Sequence, residues 1–230
     1  MVRKPDSVKM IALSVDVEPD FPPQYSSFDG IAGLKVIVDA LQEKKCNATF
    51  FVCADLIDKN PGIIDLLKGF EIGCYGLRHV DLTTLNELEA GGEIAEAYEI
   101  FMEHKIKPLG FRAPYCSTNY KVLSEVKKYF EYDSSMQFYG FGRMPGLKEV
   151  PVFTGGKMFG ISPSLFRIVS GLPVKNKVYF THPWEYGGFD FSEVAERRKN
   201  MRLLGYSKEN YLKNLSYLLK KGTCAIKELL

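Results

Sequence analysis

Two acids stand two residues apart in "LSVDVEPD", Asp16 and Glu18. On a strand such positions lean to the same side, and two close carboxylates cannot both ionise cheaply unless a cation or an arginine lies beside them. A second stretch, "GCYGLRHVDL" (73–82), carries His79, one of three histidines in 230 residues, with Tyr75 four positions before it. Side chains four apart on a helical turn face the same way, and two histidines so placed would form a metal site. With a tyrosine in one of the places, the stretch is half of a metal centre, an altered one or the remains of one. His182 in "YFTHPWEY" directly follows an apolar run, with Trp184 two residues on. Taken singly, each has a plain structural meaning: a solvated strand end, a hydrogen-bonded imidazole, a core aromatic. His104, near a helix C-terminus, suits the helix dipole and is given no chemical role.

The elements that must position these residues alternate from end to end. "KMIALSVDV" reads as a buried strand, and "GLKVIVDALQEKK" as a helix with Leu34, Ile37, Val38 and Leu41 on one stripe. "ATFFVC" and "EIGCYG" are the second and third strands, separated by a helix "GIIDLLKGF" that Asn60 caps and Pro61 opens. Thr84 with Glu87 makes a capping box for the next helix, which Gly91 and Gly92 weaken, so its start is placed after them. "LGFRAP", "EYDSSM", "KEVPV" and "KVYFTHP" continue the strands. A final helix begins at Ser207, carries Leu212, Leu215, Leu218 and Leu219 on its apolar stripe and stops at Gly222. "TCAIKEL" reads as a short last strand. The pattern is that of a single α/β domain over residues 1–230, a barrel of about seven parallel strands or a doubly wound open sheet. Asp16, Glu18, Tyr75, His79, Arg112 and His182 all fall at or just beyond strand ends, and Asp133 within a strand. In a parallel barrel the C-terminal strand ends converge on the face that carries the active site.

Composition narrows the function classes. A net charge of +2, from 30 basic and 28 acidic residues, gives no general attraction for nucleic acid or anionic lipid. No segment approaches membrane-spanning length, and the N-terminal apolar stretch is too short for a secretory core. The five cysteines lack zinc-finger and C-x-x-C spacing and read as free thiols in a reducing compartment, so a cytoplasmic location is expected.

In combination the motifs are specific. "LSVDVEPD", "ATFFV", "FEIGCYGLRHVDLTTL", "GFRAPY", "YDSSM" and "THPWEY" resemble, in order, the motifs of the polysaccharide deacetylase family, metal-dependent carbohydrate esterases that include chitin and peptidoglycan deacetylases. The resemblance runs from about residue 10 to the C-terminus. It implies a distorted (β/α) barrel and hydrolysis of an N-acetyl group on an amino sugar or glycan. By position, it makes Asp16 the general base, Arg112 its ion-pair partner, and His182 the acid that protonates the leaving amine. It makes Glu18 and His79 ligands of a divalent metal, with zinc expected. The backbone N–H of Tyr115 helps bind the oxyanion, and Asp133 orients or charges His182. Trp184 is a candidate platform for a sugar ring.

Tyr75 departs from the family pattern, standing at the first of two histidine positions. A phenol with a pKa of about 10 is a poor ligand at neutral pH, and zinc prefers Cys, His and carboxylate. Arg78 would oppose a cation if it pointed inward, Asp81 is a substitute oxygen ligand, and weak metal binding or none is expected. Two readings follow: a working deacetylase with Tyr75 at the substrate or metal, or a metal-free barrel that binds carbohydrate or regulates. The loops 21–30 and 138–146 are expected to line the cleft.

Overall fold

The computed structural model describes residues 10–19, 32–137, 144–187 and 205–230. The loop 21–30 and most of 138–146 lie outside them. Eight parallel strands among the described residues form one sheet: β1 (Ile11–Val17), β2 (Thr49–Val52), β3 (Glu71–Cys74), β4 (Gly110–Phe111), β5 (Tyr132–Asp133), β6 (Lys148–Glu149), β7 (Val152–Gly155) and β8 (Lys177–Thr181). Their order is β6-β5-β4-β3-β2-β1-β8-β7. The outer layer comprises α1 (Ala32–Lys44), α2 (Ala54–Lys59), α3 (Gly62–Leu66), α4 (Glu87–Glu103), α5 (Tyr120–Val126), α6 (Lys157–Gly160), α7 (Pro163–Ser170) and α8 (Lys208–Leu219).

The two edges of this sheet are consecutive pieces of one segment. β6 pairs with β5 and β7 with β8, and only Val150 and Pro151 separate them. Proline has no N–H to donate to a ladder. The chain changes partner there: Val150 N–H still donates to Asp133 O and Val152 N–H to Met136 O, whereas Gly156 N–H donates to Phe180 O. The ring closes through this broken strand, as in the distorted barrel expected. "KEVPV" is therefore two short strands rather than one.

The strand period of two assigns the faces. Leu13, Val15 and Val17 pack outward into the fully buried core with Leu34, Ile37, Val38 and Leu41 of α1. Ser14 and Asp16 turn inward, with Glu18 continuing their row. Inside the barrel, large rings lie over small neighbours. Phe51 occupies the space above Gly73, where an added Cβ would come within 2.6 Å of the ring, and the Tyr132 ring fills the place that a Cβ on Gly110 would need. Below them Glu71 accepts from the Thr49 and Tyr132 hydroxyls at 2.6 and 3.0 Å, so this buried carboxylate is paired.

Several local expectations change. The capping box of α4 is Asn86 with Glu89, because Thr84 lies in a 3-10 turn capped by Asp81. α4 runs unbroken through Gly91 and Gly92, its packing on α2 and α5 outweighing glycine's low helix propensity. Asn60 closes α2, and α3 ends at Leu66. Leu212 is 50% exposed, while Tyr211 joins Leu215, Leu218 and Leu219 in the core. "TCAIKEL" makes a single bridge, Ala12 with Cys224, and then a 3-10 turn, Ile226–Leu229. No helix among the described residues is long and apolar enough to cross a membrane.

Asp133 and Glu149 face each other across the β5–β6 edge. Burial, then the charge of Asp133 and a hydrogen bond to it, push Glu149 up to about 9, so the pair holds one proton at neutral pH. An unfolded glutamate releases that proton near pH ~4.3. The stabilisation is therefore complete below that value and is lost progressively as pH rises through about 9. Glu149→Gln removes the titration, and its melting temperature should exceed the native protein's by a margin that widens from pH 5 to pH 9. A margin independent of pH in thermal melts would refute the shared proton.

Candidate active site

The cleft at the C-terminal ends of the strands is a cavity of about 650 Å³, and Glu18, Tyr75, His79, Tyr115, His182 and Trp184 are among its lining residues. The strand order puts β1 between the two histidines: His79 arrives from beyond β3 on one side and His182 from β8 on the other.

Beneath the cavity lies a fully buried ion pair. Arg112 Nη1 donates to Asp16 Oδ1 at 2.6 Å and to Ser14 Oγ at 2.7 Å. Nε donates to Ser134 O at 2.8 Å and Nη2 to Ser134 Oγ at 2.9 Å, and the guanidinium lies 4.4 Å from the Phe51 ring centre. Every nitrogen is thus engaged, as a buried charge requires. Burial raises the Asp16 carboxyl above its ordinary value against the pull of Arg112 and His182, and its second oxygen, Oδ2, is buried with no hydrogen-bond partner. Asp16 consequently has one oxygen fixed and one open to a proton.

Glu18 sits between both histidines. Its Oε2 lies 2.9 Å from His79 Nε2, its Oε1 3.7 Å from His182 Nε2, and Oε1 accepts from Trp184 Nε1–H at 3.2 Å. Burial alone would raise its pKa, but His182, His79 and Trp184 hold it below the usual value. For His182, burial is outweighed by Glu18 and Glu185, which push it up to about 9 and leave it an imidazolium at neutral pH.

The His79 ring stacks on Tyr75, at 5.6 Å and 18°, and meets Tyr115 at 4.3 Å with the planes tilted by 41°. Tyr115 and Cys116 both have positive φ, +60° and +53°, a conformation of sparse population that clusters at functional sites. The Tyr115 hydroxyl donates to His79 O at 3.3 Å. Tyr75 is buried, and burial with the charges of Glu18 and Asp16 raises its phenol well above the ordinary value, so it stays protonated.

Other expected residues take different roles. Asp133 accepts from Ser135 N–H and Oγ–H at 2.9 and 2.7 Å, and Ser135 Oγ accepts from Ala113 N–H, so Asp133 braces the "GFRAP" turn and the barrel edge. The carboxylates beside His182 are Glu18 and Glu185. Trp184 is 3% exposed and stacked on His182 at 4.9 Å, which makes it a support for that ring and for Glu18 rather than an open platform. Among the described residues that line the cleft, Tyr115 presents an open ring, 49% exposed. Arg78 turns away to pair with Glu93 on α4. Asp81 is committed to Thr83 N–H and Oγ–H. Sequence reasoning missed Ser14, Ser134, Ser135 and Glu185. The last was signalled by its place three residues after His182, a spacing that brings side chains together on a turn.

Among the described residues no three His, Cys, Asp or Glu side chains converge as a metal cage. Two donors do suit a cation. His79 Nε2 is buried and makes no aligned hydrogen bond although Glu18 Oε2 is 2.9 Å away. Two atoms bound to one tetrahedral ion at about 2.1 Å would stand about 3.4 Å apart, so a small parting of these two side chains would seat it. The residues fit a cation held by Glu18 and His79, with its other positions left to non-protein oxygens.

Residues 3–131 match the family model for polysaccharide deacetylase. A peptidoglycan-N-acetylglucosamine deacetylase of Bacillus cereus is 27% identical over 126 residues, 54% of this chain and 54% of that protein. A peptidoglycan-N-acetylglucosamine deacetylase of Listeria monocytogenes is 28% identical over 93 residues, 39% of this chain and 20% of the other. The matches therefore span about half and a fifth of these curated relatives. A family 4 carbohydrate esterase from Streptomyces lividans, solved with acetate, has a TM-score of 0.59 at 17% identity, covering 94% of this chain and 91% of that one. A CE4 family pseudoenzyme from Bacillus anthracis has a TM-score of 0.62 at 14% identity, covering 97% and 66%. At these identities the structural likeness shows the fold.

Tyr75→His would add a third ligand, a second nitrogen, beside Glu18 and His79. Zinc affinity, measured by competition with a chromogenic chelator, should rise by at least about tenfold. An unchanged affinity would show that position 75 does not face the ion.

Proposed function

We propose that this chain, which belongs to the polysaccharide deacetylase family, hydrolyses the N-acetyl group of an amino sugar, alone or within a glycan. The observation that carries the reading is the pairing of a buried carboxylate, Asp16, with a protonated imidazole, His182, at one cleft. Hydrolysis of an amide needs a group to take a proton from water and another to give one to the amine. The relatives' activity on peptidoglycan N-acetylglucosamine supports the substrate class.

Arg112 holds Oδ1 of Asp16, and Oδ2 accepts a proton from the attacking water. The new C–O bond gives a tetrahedral adduct, whose oxyanion meets the backbone N–H of Tyr115 in its strained turn. As the C–N bond breaks, its electrons go to nitrogen, which takes the proton from His182 Nε2; acetic acid and the free amine leave, and the proton held on Asp16 passes back to His182 through solvent. A divalent cation held by Glu18 and His79 would polarise the acetyl carbonyl as a Lewis acid. The open ring of Tyr115 is the surface offered to a sugar face.

Tyr75 favours a second reading, in which the barrel binds carbohydrate without turning it over. Its protonated phenol stands at a metal-histidine position, and a pseudoenzyme is among the chains of similar fold.

Release of acetate from N-acetylated chito-oligosaccharides separates the two. Asp16→Asn and His182→Ala should each lower kcat by about 10²–10⁴-fold with the circular dichroism spectrum retained. Oligosaccharide binding by calorimetry with no acetate released would sink the catalytic reading in favour of the second.

A further inference from the structure

Glu185 ends the 3-10 turn that begins just after His182, and it is buried. Its Oε2 accepts from the Thr181 hydroxyl and from the His182 backbone N–H at 3.0 Å, so the carboxylate cannot swing away. Its Oε1 makes no aligned hydrogen bond and stands 3.3 Å from His182 Nδ1. The opposite nitrogen, Nε2, is turned toward Glu18 and the cavity.

The ring has little room to turn. Trp184 is stacked on it at 18°, and Phe180 meets it edge-on at 5.5 Å. Gly156 closes the remaining side at φ +46°, where a Cβ would reach 3.3 Å from His182 Cε1 and 3.5 Å from Glu185 Oε1. Only glycine combines that backbone angle with so close an approach. Asp133 is spent on Ser135 and Glu149.

Resting on the deacetylase reading above, we propose that Glu185 is the positioning residue of the leaving-group acid. It holds the Nδ1 proton of His182, which leaves Nε2–H facing the cleft as the proton that the departing amine receives. When the C–N bond breaks and Nε2 gives up its proton, the imidazole is left neutral in the Nδ1–H form against a fixed carboxylate. Without Glu185 the neutral ring is free to place its one proton on either nitrogen.

The test uses Glu185→Gln and Glu185→Asp on two substrates, an N-acetylated chito-oligosaccharide and 4-nitrophenyl acetate, whose phenolate departs without a proton. In Glu185→Gln the loss of kcat on the amide should exceed the loss on the ester by at least about tenfold, with KM on the amide changed less than about twofold. Glu185→Asp should recover part of the amide rate. Equal losses on both substrates, or none, would overturn the assignment. A spectrum of ¹⁵N-labelled wild-type protein decides the contact independently of turnover: His182 Nδ1 should carry a downfield, exchange-protected proton that disappears in Glu185→Gln. A wild-type Nδ1 without a proton overturns the inference even if the protein deacetylates, whereas its presence in a protein that releases no acetate removes only the deacetylase reading.

Discussion

The buried contact between Arg112 and Asp16 organises the barrel and the cleft together. Both side chains are fully inaccessible, and the guanidinium is engaged by Asp16, Ser14 and two atoms of Ser134. Moving two charges out of water is expensive, and their attraction offsets that cost only when the remaining donors are also satisfied. Stripping one partner from such a pair costs about 3–5 kcal/mol, because the other charge stays buried. The arrangement therefore constrains where β1, β4 and the segment after β5 lie, across the middle of the sheet.

That constraint also sets the chemistry. Fixing Oδ1 of Asp16 leaves Oδ2 open, and the strand's two-residue period then carries Glu18 beyond it on the same face. Glu18 in turn gathers His79, His182 and Trp184. The row Ser14, Asp16, Glu18 runs from a structural hydrogen bond at depth to the lining of an open cleft. One strand thus converts barrel packing into a site.

Much of this was legible because it is local. The continuous apolar run of β1 and the stripe on α1 announce themselves by period, and the ordered motifs put Asp16, Glu18, His79, Arg112 and His182 at strand ends. What was not legible depends on distant partners. "KEVPV" reads as one strand, and only the pairing with β5 on one side and β8 on the other makes Pro151 the point where the ring closes. Thr84 with Glu87 and Asn86 with Glu89 are both capping patterns, and the choice between them was decided by Asp81 capping the turn that contains Thr84. Trp184 looked like a platform because sequence cannot show that its face is already against His182.

The exchange between Asp133 and Glu185 follows the same logic of distance. A carboxylate delivered to His182 from β5 comes from a strand that the broken β6–β7 segment separates from β8, so its placement depends on how the ring closes there. Glu185 lies in the same short turn as His182 and binds that residue's own backbone N–H, so their relative geometry is set within four residues. His182 and Glu185 are thus fixed to each other at the end of β8. Asp133 shares a proton with Glu149 where the sheet closes and, through Ser135, braces the turn that follows Arg112.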